Sequence, residues 1–295
     1  MQIGYVGLGK MGLNMTKRLF KKGYDVVSYD KNKSALVEAM REGSLVAKSP
    51  ENLVSRLNEP RCVWLMVPSQ NVDDALEHLY KSLSPDDTII DGSNSFYLDS
   101  IKRAKAFSEK GINFLDVGVS GGPNGALNGS ALFVGGDLEA FLKYEKLFKD
   151  LAKDDCYFHA GKSGAGHFYK MVHNGIEYGM MQAIADGFSV IHASDFGNNM
   201  EQVTRAFNGG VIESKLIRDL GKVYQKFGPY LNGVSDKVDS KGTAEWAVKT
   251  AKELGVDVPV IEAAVKFRKK SPTQPSYSGK VLTALRYIFG GHLYK

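Results

Sequence analysis

Five polar side chains within Gly166–Gly179 have types and spacings suited to moving protons. Placed on a helix, His173, Asn174, Glu177 and Tyr178 share a face with Lys170, because they follow it by three, four, seven and eight residues. Together they offer hydrogen-bond donors, an acceptor and groups able to carry a proton. Met171, Val172, Ile176, Met180 and Ile184 fall largely elsewhere on the helix and are expected to feed a core. Gly175 and Gly179 leave room for neighbouring backbone or a ligand. A solvated polar face would carry similar residues, but the flanking apolar positions weigh against it.

A second cluster reads as a dinucleotide site. Gly7-Leu8-Gly9-Lys10-Met11-Gly12 follows an apolar run and opens a helical pattern, the context in which Gly-x-Gly-x-x-Gly carries meaning. The first glycine makes the tight turn, the second admits a pyrophosphate, and the third packs helix on strand. A diphosphate then meets free N–H groups at a helix start. Asp30, 18 positions after Gly12, can accept both ribose hydroxyls of NAD and repels a 2′-phosphate. Lys31 and Lys33 partly offset that repulsion, so NAD is expected with NADP as the alternative. A turn residue or a cap before Asn32 is the competing reading of Asp30. Val67, Pro68 and Asn94 are further expected cofactor positions.

A third cluster is cationic. Lys241-Gly242-Thr243-Ala244-Glu245-Trp246 opens a helical pattern, whose first amides favour an anion. Arg268 lies in Phe267-Arg268-Lys269-Lys270, and arginine suits a two-pronged grip on phosphate. By pattern alone, Lys241 also reads as a surface charge and Arg268 as a helix C-terminal cation.

These clusters need a scaffold. Gln2–Val6, Asp25–Tyr29, Arg61–Met66, Thr88–Asp91, Asn113–Val117 and Ala131–Gly135 read as strands. Met11–Lys22, Lys33–Arg41, Val72–Leu83 and Ser100–Lys110 read as helices between them. Such alternation predicts a mostly parallel sheet covered on both faces. From His167 only helices are expected: one to about Ala193, then Met200–Asn208, Val211–Lys226, Thr243–Leu254, Val260–Lys270 and Lys280–Phe289. Gly255 is expected to terminate Thr243–Leu254, and Pro272 to act as a stop after Val260–Lys270. The predicted fold is an α/β Rossmann-type doubly wound sheet followed by an all-helical C-terminal domain. Residues 1–161 form the expected dinucleotide-binding domain, and 162–295 the expected substrate and oligomerisation domain.

Composition narrows the function classes. The 295 residues suffice for two domains at about 100–200 residues each. No run of roughly 18 apolar residues suggests a membrane span, and the N-terminus reads as a strand rather than a secretory leader. Cys62 and Cys156 form no metal or redox motif and are expected to be core thiols in a reducing, cytoplasmic setting. The formal charge of +5 suits a phosphorylated ligand. No nucleic-acid-binding motif is present, and six histidines without metal-binding spacing give no metal site.

The stretch Lys170-Met171-Val172-His173-Asn174-Gly175-Ile176-Glu177-Tyr178-Gly179 resembles the active-site helix of the 6-phosphogluconate dehydrogenase family. Asp91-Gly92-Ser93-Asn94-Ser95 and Val119-Ser120-Gly121-Gly122 resemble its substrate loops. The chain lacks the extra helical length of long members and resembles the short form. The resemblance implies that Lys170 is the general base and Glu177 the acid that protonates C1 after decarboxylation, without a metal. The Lys170 amine must then fall from about 10.4 toward about 7–8. It further implies that Asn94, Ser120, Gly121, Gly122, His173 and Asn174 bind substrate carboxylate and hydroxyls. Tyr178, Lys241, Thr243 and Arg268 are implied phosphate ligands, with Glu245 replacing a family lysine. The tail Arg286-Tyr287-Ile288-Phe289-Gly290-Gly291-His292 resembles the family's closing segment. By that resemblance Arg286 and His292 complete a neighbour's site, which implies a homo-dimer or tetramer.

Two other functions compete. A dehydrogenase of a small 3-hydroxy acid such as 3-hydroxyisobutyrate keeps Lys170, Asn174 and the Ser120 loop. It does not need Lys241, Arg268, Arg286 and His292 together. A dinucleotide sensor without turnover would normally drop Lys170 or Glu177.

Overall fold

The computed structural model describes residues 1–196, 199–238 and 242–295. The chain divides into two compact units, Met1–Lys170 and Met171–Lys295.

Short, nearly continuous apolar segments such as Gln2–Val6 bury both faces, which is the signature of a strand inside a covered parallel sheet. The first unit alternates such strands with helices. In order these are β1 (Gln2–Val6), α1 (Lys10–Lys21), β2 (Asp25–Tyr29), α2 (Lys33–Arg41), β3 (Leu45–Val46), α3 (Pro50–Val54), β4 (Cys62–Leu65), α4 (Val72–Ser82) and β5 (Thr88–Asp91). Then follow α5 (Tyr97–Ser108), β6 (Asn113–Ser120), α6 (Gly122–Asn128), β7 (Ser130–Gly135), α7 (Leu138–Lys143), α8 (Glu145–Leu151) and β8 (Ala152–Gly161).

The eight strands form one sheet in the order β3-β2-β1-β4-β5-β6-β7-β8. All neighbours are parallel except β6 and β7. Winding reverses between β1 and β4, so their carboxyl ends leave the crevice where this architecture takes dinucleotides. One core lies on the face holding Tyr5, Trp64 and Phe148, and another on the face holding Leu53, Leu65 and Leu79.

The expected fold class is borne out. Periodicity leaves Gly136–Gly161 unassigned, and that stretch holds α7, α8 and β8. The two helices are short and break at Tyr144, and β8 is largely exposed along Lys153–Cys156, so neither leaves a long apolar repeat. Likewise β3 and α3 are too short to show a period; α3 is set by the Ser49 side chain accepting from Asn52 N–H and by Pro50 in its first turn. Cys156 corrects the expectation of a core thiol, because it is exposed on β8, whereas Cys62 is buried.

Helix α9 (Ala165–Ala193) starts in the first unit and runs on into the second. The second unit continues with α10 (Met200–Phe207), α11 (Lys215–Phe227), α12 (Thr243–Glu253), α13 (Pro259–Lys270) and α14 (Tyr277–Gly290). Its core gathers Met181, Phe188, Leu220, Val223, Leu282 and Leu285. Helix α11 begins at Lys215 rather than at Val211, because Ser214 caps it by accepting from Ile217 N–H. Among the described residues, no helix is long and apolar enough to cross a membrane.

Candidate active site

In the first unit the glycine-rich turn joins β1 to α1. Gly7 has φ +98°, and a Cβ there would lie 2.3 Å from the Met66 carbonyl oxygen. A Cβ on Gly12 would strike the carbonyl oxygen of Gly7, so α1 can approach β1 only without one. Gly9, in contrast, has nothing within 4 Å of its Cβ position, and no side chain caps α1. The helix start therefore offers amides beside open space, the arrangement a diphosphate requires. Leu8 lies under the turn and is buried, while Lys10 and Met11 open α1.

Asp30 follows β2 and reaches this turn: Leu8 N–H donates to its Oδ2 at 2.5 Å and Asn32 N–H to its Oδ1 at 2.7 Å. Asn32, not Asp30, caps α2. A cavity of about 350 Å³ opens beside Asp30 and is also lined by Gly7, Gly9, Val67, Pro68 and Asp74. These residues fit an adenosine diphosphate moiety. Lys31 donates to Asp74 at 2.8 Å, and the carboxylate raises the lysine's pKa while its own is lowered. Lys31, which follows Asp30 directly, is thus held by Asp74. Sequence reasoning also missed Asp74, which lies 44 residues beyond Asp30 and carries no local signal.

Two further loops of this unit carry predicted residues. Buried Asp91 accepts from Ser93 N–H at 3.0 Å and from Ser95 Oγ at 3.1 Å, and Arg103 also donates to Ser95 Oγ at 3.0 Å. That network fixes the loop on which exposed Asn94 stands. Ser120 ends β6, and Gly121 and Gly122 follow with φ +147° and +63°. Other side chains would be strained there, so this turn depends on glycine.

Lys170 is tied to β6 from below. Asp116 is fully buried, and accepts from Gly164 N–H at 2.6 Å and His167 N–H at 2.8 Å. Its carboxylate thereby satisfies orphan donors at the start of α9 and suits the positive end of the helix. A Cβ on Gly118 would lie 2.6 Å from Lys170 Cβ, and one on Gly166 would lie 2.2 Å from the Asp116 carbonyl oxygen. His167 Nδ1 and Ser100 Oγ are 2.7 Å apart, adding a side-chain tie to α5. Sequence reasoning missed Asp116, although it sits four residues before Ser120.

In the second unit His173 and Asn174 are half-buried, with His173 Nδ1 3.3 Å from Asn174 Oδ1 and 3.9 Å from Glu177 Oε2. Gly175 is approached by Ile261 and Ala247, and Gly179 by Val260. Tyr178 is 9% exposed, and the Arg268 guanidinium carbon lies 3.3 Å from its ring centroid. Arg268 itself is 2% exposed. One of its Nη atoms donates to Met181 Sδ at 3.6 Å, while its Nε has no hydrogen-bond partner among the described residues. Burial, followed by the nearby charge of Arg286, pushes the Arg268 pKa down to about 10, against the opposing pull of Tyr178 and Glu177.

Thr243 is buried at the start of α12, after Gly242 with φ +78°. Lys241 lies outside the described residues. Arg286 is buried on α14, and His292 follows half-buried. Val172, Ile176 and Met180 correct the expectation of a core role, being exposed on α9, whereas Met171 is buried. Among the described residues no group of three or more His, Cys, Asp or Glu side chains could hold a metal ion.

The comparisons extend this picture across the chain. Residues 2–161 match the family model of the NAD binding domain of 6-phosphogluconate dehydrogenase, and residues 166–278 match that of its C-terminal domain. The chain is 42% identical over 293 residues to the putative 6-phosphogluconate dehydrogenase YqeC of Bacillus subtilis, covering 99% of this chain and 98% of that protein. It is 38% identical over 295 residues to the NAD(+)-dependent, decarboxylating 6-phosphogluconate dehydrogenase of Haloferax volcanii, with 99% and 98% covered. Among solved structures, the 6-phosphogluconate dehydrogenase of Plasmodium falciparum superposes with a TM-score of 0.83 at 31% identity. That superposition covers 92% of this chain and 62% of the other.

Proposed function

The chain belongs to the 6-phosphogluconate dehydrogenase family, and from that premise we propose that it oxidises and decarboxylates 6-phosphogluconate to ribulose 5-phosphate and carbon dioxide. The carrying observation is Arg268: a nearly buried guanidinium, stacked on Tyr178, whose Nε lacks a partner among the described residues. A buried, incompletely satisfied cation is costly unless an anion joins it. The phosphate of a sugar acid supplies that anion, while a small 3-hydroxy acid, whose one carboxylate goes to the Ser120 loop, has no second anionic group for it.

A nicotinamide cofactor held by the Gly7–Gly12 turn and Asp30 would supply the hydride acceptor for C3 of the substrate. Lys170, in its neutral form, takes the C3 hydroxyl proton as that hydride leaves. The resulting 3-keto acid loses its carboxylate as carbon dioxide, because the adjacent carbonyl accepts the electron pair. Protonated Lys170 stabilises the enolate so formed, and Glu177 delivers a proton to C1. Asn94, Ser120, Gly121, Gly122, His173 and Asn174 orient carboxylate and hydroxyls. Tyr178, Lys241, Thr243, Arg268, Arg286 and His292 serve the phosphate end.

NAD is the preferred cofactor in this reading. Support comes from Asp30 beside the glycine-rich turn and from Asp74, which holds the one cation directly following Asp30. Both carboxylates line the cavity and oppose a 2′-phosphate. The enzyme works as a homo-oligomer, consistent with exposed Val172, Ile176, Met180 and Val190 along α9. Its setting is the cytoplasm, where a free thiol such as Cys62 stays reduced.

Initial rates with 6-phosphogluconate, comparing NAD with NADP and trapping carbon dioxide, test the reading. Equal amounts of reduced cofactor and carbon dioxide, with NAD favoured, are expected. Turnover of 3-hydroxyisobutyrate but not of 6-phosphogluconate would overturn it.

A further inference from the structure

Resting on the function proposed above, we propose that Arg103 of α5 is a positioning residue for the reaction: its guanidinium holds the Asn94 loop at a fixed distance from the start of α4. It acts through Ser95 and Asp91 rather than on the substrate itself.

Arg103 occupies a place where an apolar residue would be cheaper. Ser100, Arg103 and Phe107 form the buried stripe of α5 at helical spacing, and Arg103 is only 9% exposed. A cation at a core position is costly unless partners satisfy it, and an apolar side chain would fill the stripe without that cost. The partners of Arg103 are two carboxylates and a hydroxyl. Its Nε donates to Asp73 Oδ1 at 2.7 Å, its Nη1 donates to Ser95 Oγ at 3.0 Å, and Nη1 lies 3.6 Å from Asp91 Oδ2. The planar fork of arginine thus bridges two separate elements, which the single point charge of a lysine cannot reproduce.

What this fork holds is the loop that presents Asn94. Asp91 ends β5 and is completely buried. It tethers both neighbours of Asn94, since its Oδ1 accepts from Ser93 N–H and its Oδ2 from Ser95 Oγ. Ser93 and Ser95 are buried, while Asn94 is exposed between them. Ser93 Oγ also accepts from Val67 N–H at 3.2 Å, which joins the loop to a wall of the cofactor cavity. At the start of the loop, a Cβ on Gly92 would lie 2.5 Å from Trp64 Nε1, so that end rests on the core. The far end is held by Arg103 through Ser95 Oγ. The anchor of that strut is Asp73 in the first turn of α4, a helix seated by buried Val72, Leu76 and Leu79. The hydrogen bond from Arg103 holds the Asp73 carboxyl below its usual pKa, which keeps the pair charged at neutral pH. The Asp73 side chain is 79% exposed, so the pair contributes little to stability and its consequence is geometric. A loop free to swing by about 1 Å would misplace Asn94 against the substrate, an error that can cost about a hundredfold in rate.

The kinetics of Arg103→Lys test the assignment. Lysine keeps a charge beside Asp91 and removes the fork, so a role in charge balance alone would survive the change. The KM for 6-phosphogluconate is expected to rise about tenfold and kcat to fall severalfold. The deuterium isotope effect on kcat, with substrate labelled at C3, should also rise, because a misplaced substrate slows hydride transfer relative to product release. The NAD dissociation constant, from fluorescence titration, should stay within about twofold, since α4 keeps its own packing. A lower rate with unchanged KM and isotope effect would mean only a smaller folded fraction, and would overturn the proposal. So would a loss of NAD affinity as large as the rise in KM, which would place the effect at the cofactor wall. Should Arg103→Lys fail to fold, judged by circular dichroism, Asp73→Ala and Ser95→Ala each remove one end of the strut, with the same outcomes. Absence of 6-phosphogluconate turnover by the wild-type control overturns the functional reading, and this proposal with it. That result is read before any variant is compared.

Discussion

Asp30 does two things that an uncharged residue cannot do together: it accepts two backbone N–H groups and presents negative charge beside the glycine-rich turn. Asp30→Ala should lower kcat/KM with NAD by about tenfold or more, since hydrogen bonds to a charged group contribute roughly 1.5–3 kcal/mol each. Activity with NADP should rise relative to NAD, and initial rates with both cofactors measure the ratio. The thiols offer another residue-scale test. Burial pushes the Cys62 thiol up to about 12, whereas Cys156 is exposed. Iodoacetamide at neutral pH should label one cysteine in the native protein, identified by mass spectrometry as Cys156, and both after unfolding. Much of the residue scale was legible in the chain, because a glycine-rich turn and a polar helix face are local patterns. Asp74 and Asp116 were not, since their roles depend on Lys31 and Gly164, which are distant in sequence.

Helix α9 carries Lys170 on a start held by Asp116 and by the close packing of Gly118 and Gly166. Asp116→Asn keeps one acceptor oxygen and leaves one backbone donor unpaired, at a cost of about 1–3 kcal/mol. In Gly166→Ala the new Cβ meets backbone on both sides, so α9 must shift, with a similar penalty from overpacking. In both variants kcat should fall severalfold while the NAD dissociation constant, measured by fluorescence titration, stays within about twofold. An unchanged kcat in either would remove the positioning role assigned to this contact. Helix α11 gives a pH test. Burial alone would raise the Asp219 pKa, but hydrogen bonds from Lys215 and Lys222 outweigh it and the pKa is lowered. A depressed carboxylate stabilises the native state above its unfolded pKa of about 3.9, and that contribution is lost as pH falls through the folded value. Denaturant midpoints of Asp219→Asn should therefore lie below wild type at neutral pH and approach it below about pH 4. Helix positions were largely legible, as period and caps are local. The exposure of Val172, Ile176 and Met180 was not, because an apolar residue on a helix does not state whether anything covers it.

At the scale of the molecule, ligand linkage reports on the first unit. NAD at a hundredfold excess over its dissociation constant should add about 2.7 kcal/mol to the stability of the unit that binds it. Because the chain has two compact units, unfolding need not be a single transition. The shift should appear in the transition of the Met1–Lys170 unit, followed by tryptophan fluorescence of buried Trp64, and Asp30→Ala should require more NAD to produce it. The chain's own order of residues determined the alternation of strands and helices, the turn from Gly7 to Gly12, and the polar stripe from Lys170 to Tyr178. Each of these is written in short-range spacing, and backbone geometry reads such spacing directly. Only the tertiary structure decided that Asp116 would hold the start of α9, that Asp74 would hold Lys31, and that Arg268 would lie buried against Tyr178. Those pairings join residues far apart in the chain, and what fixes them is the packing of whole elements, which no local pattern records.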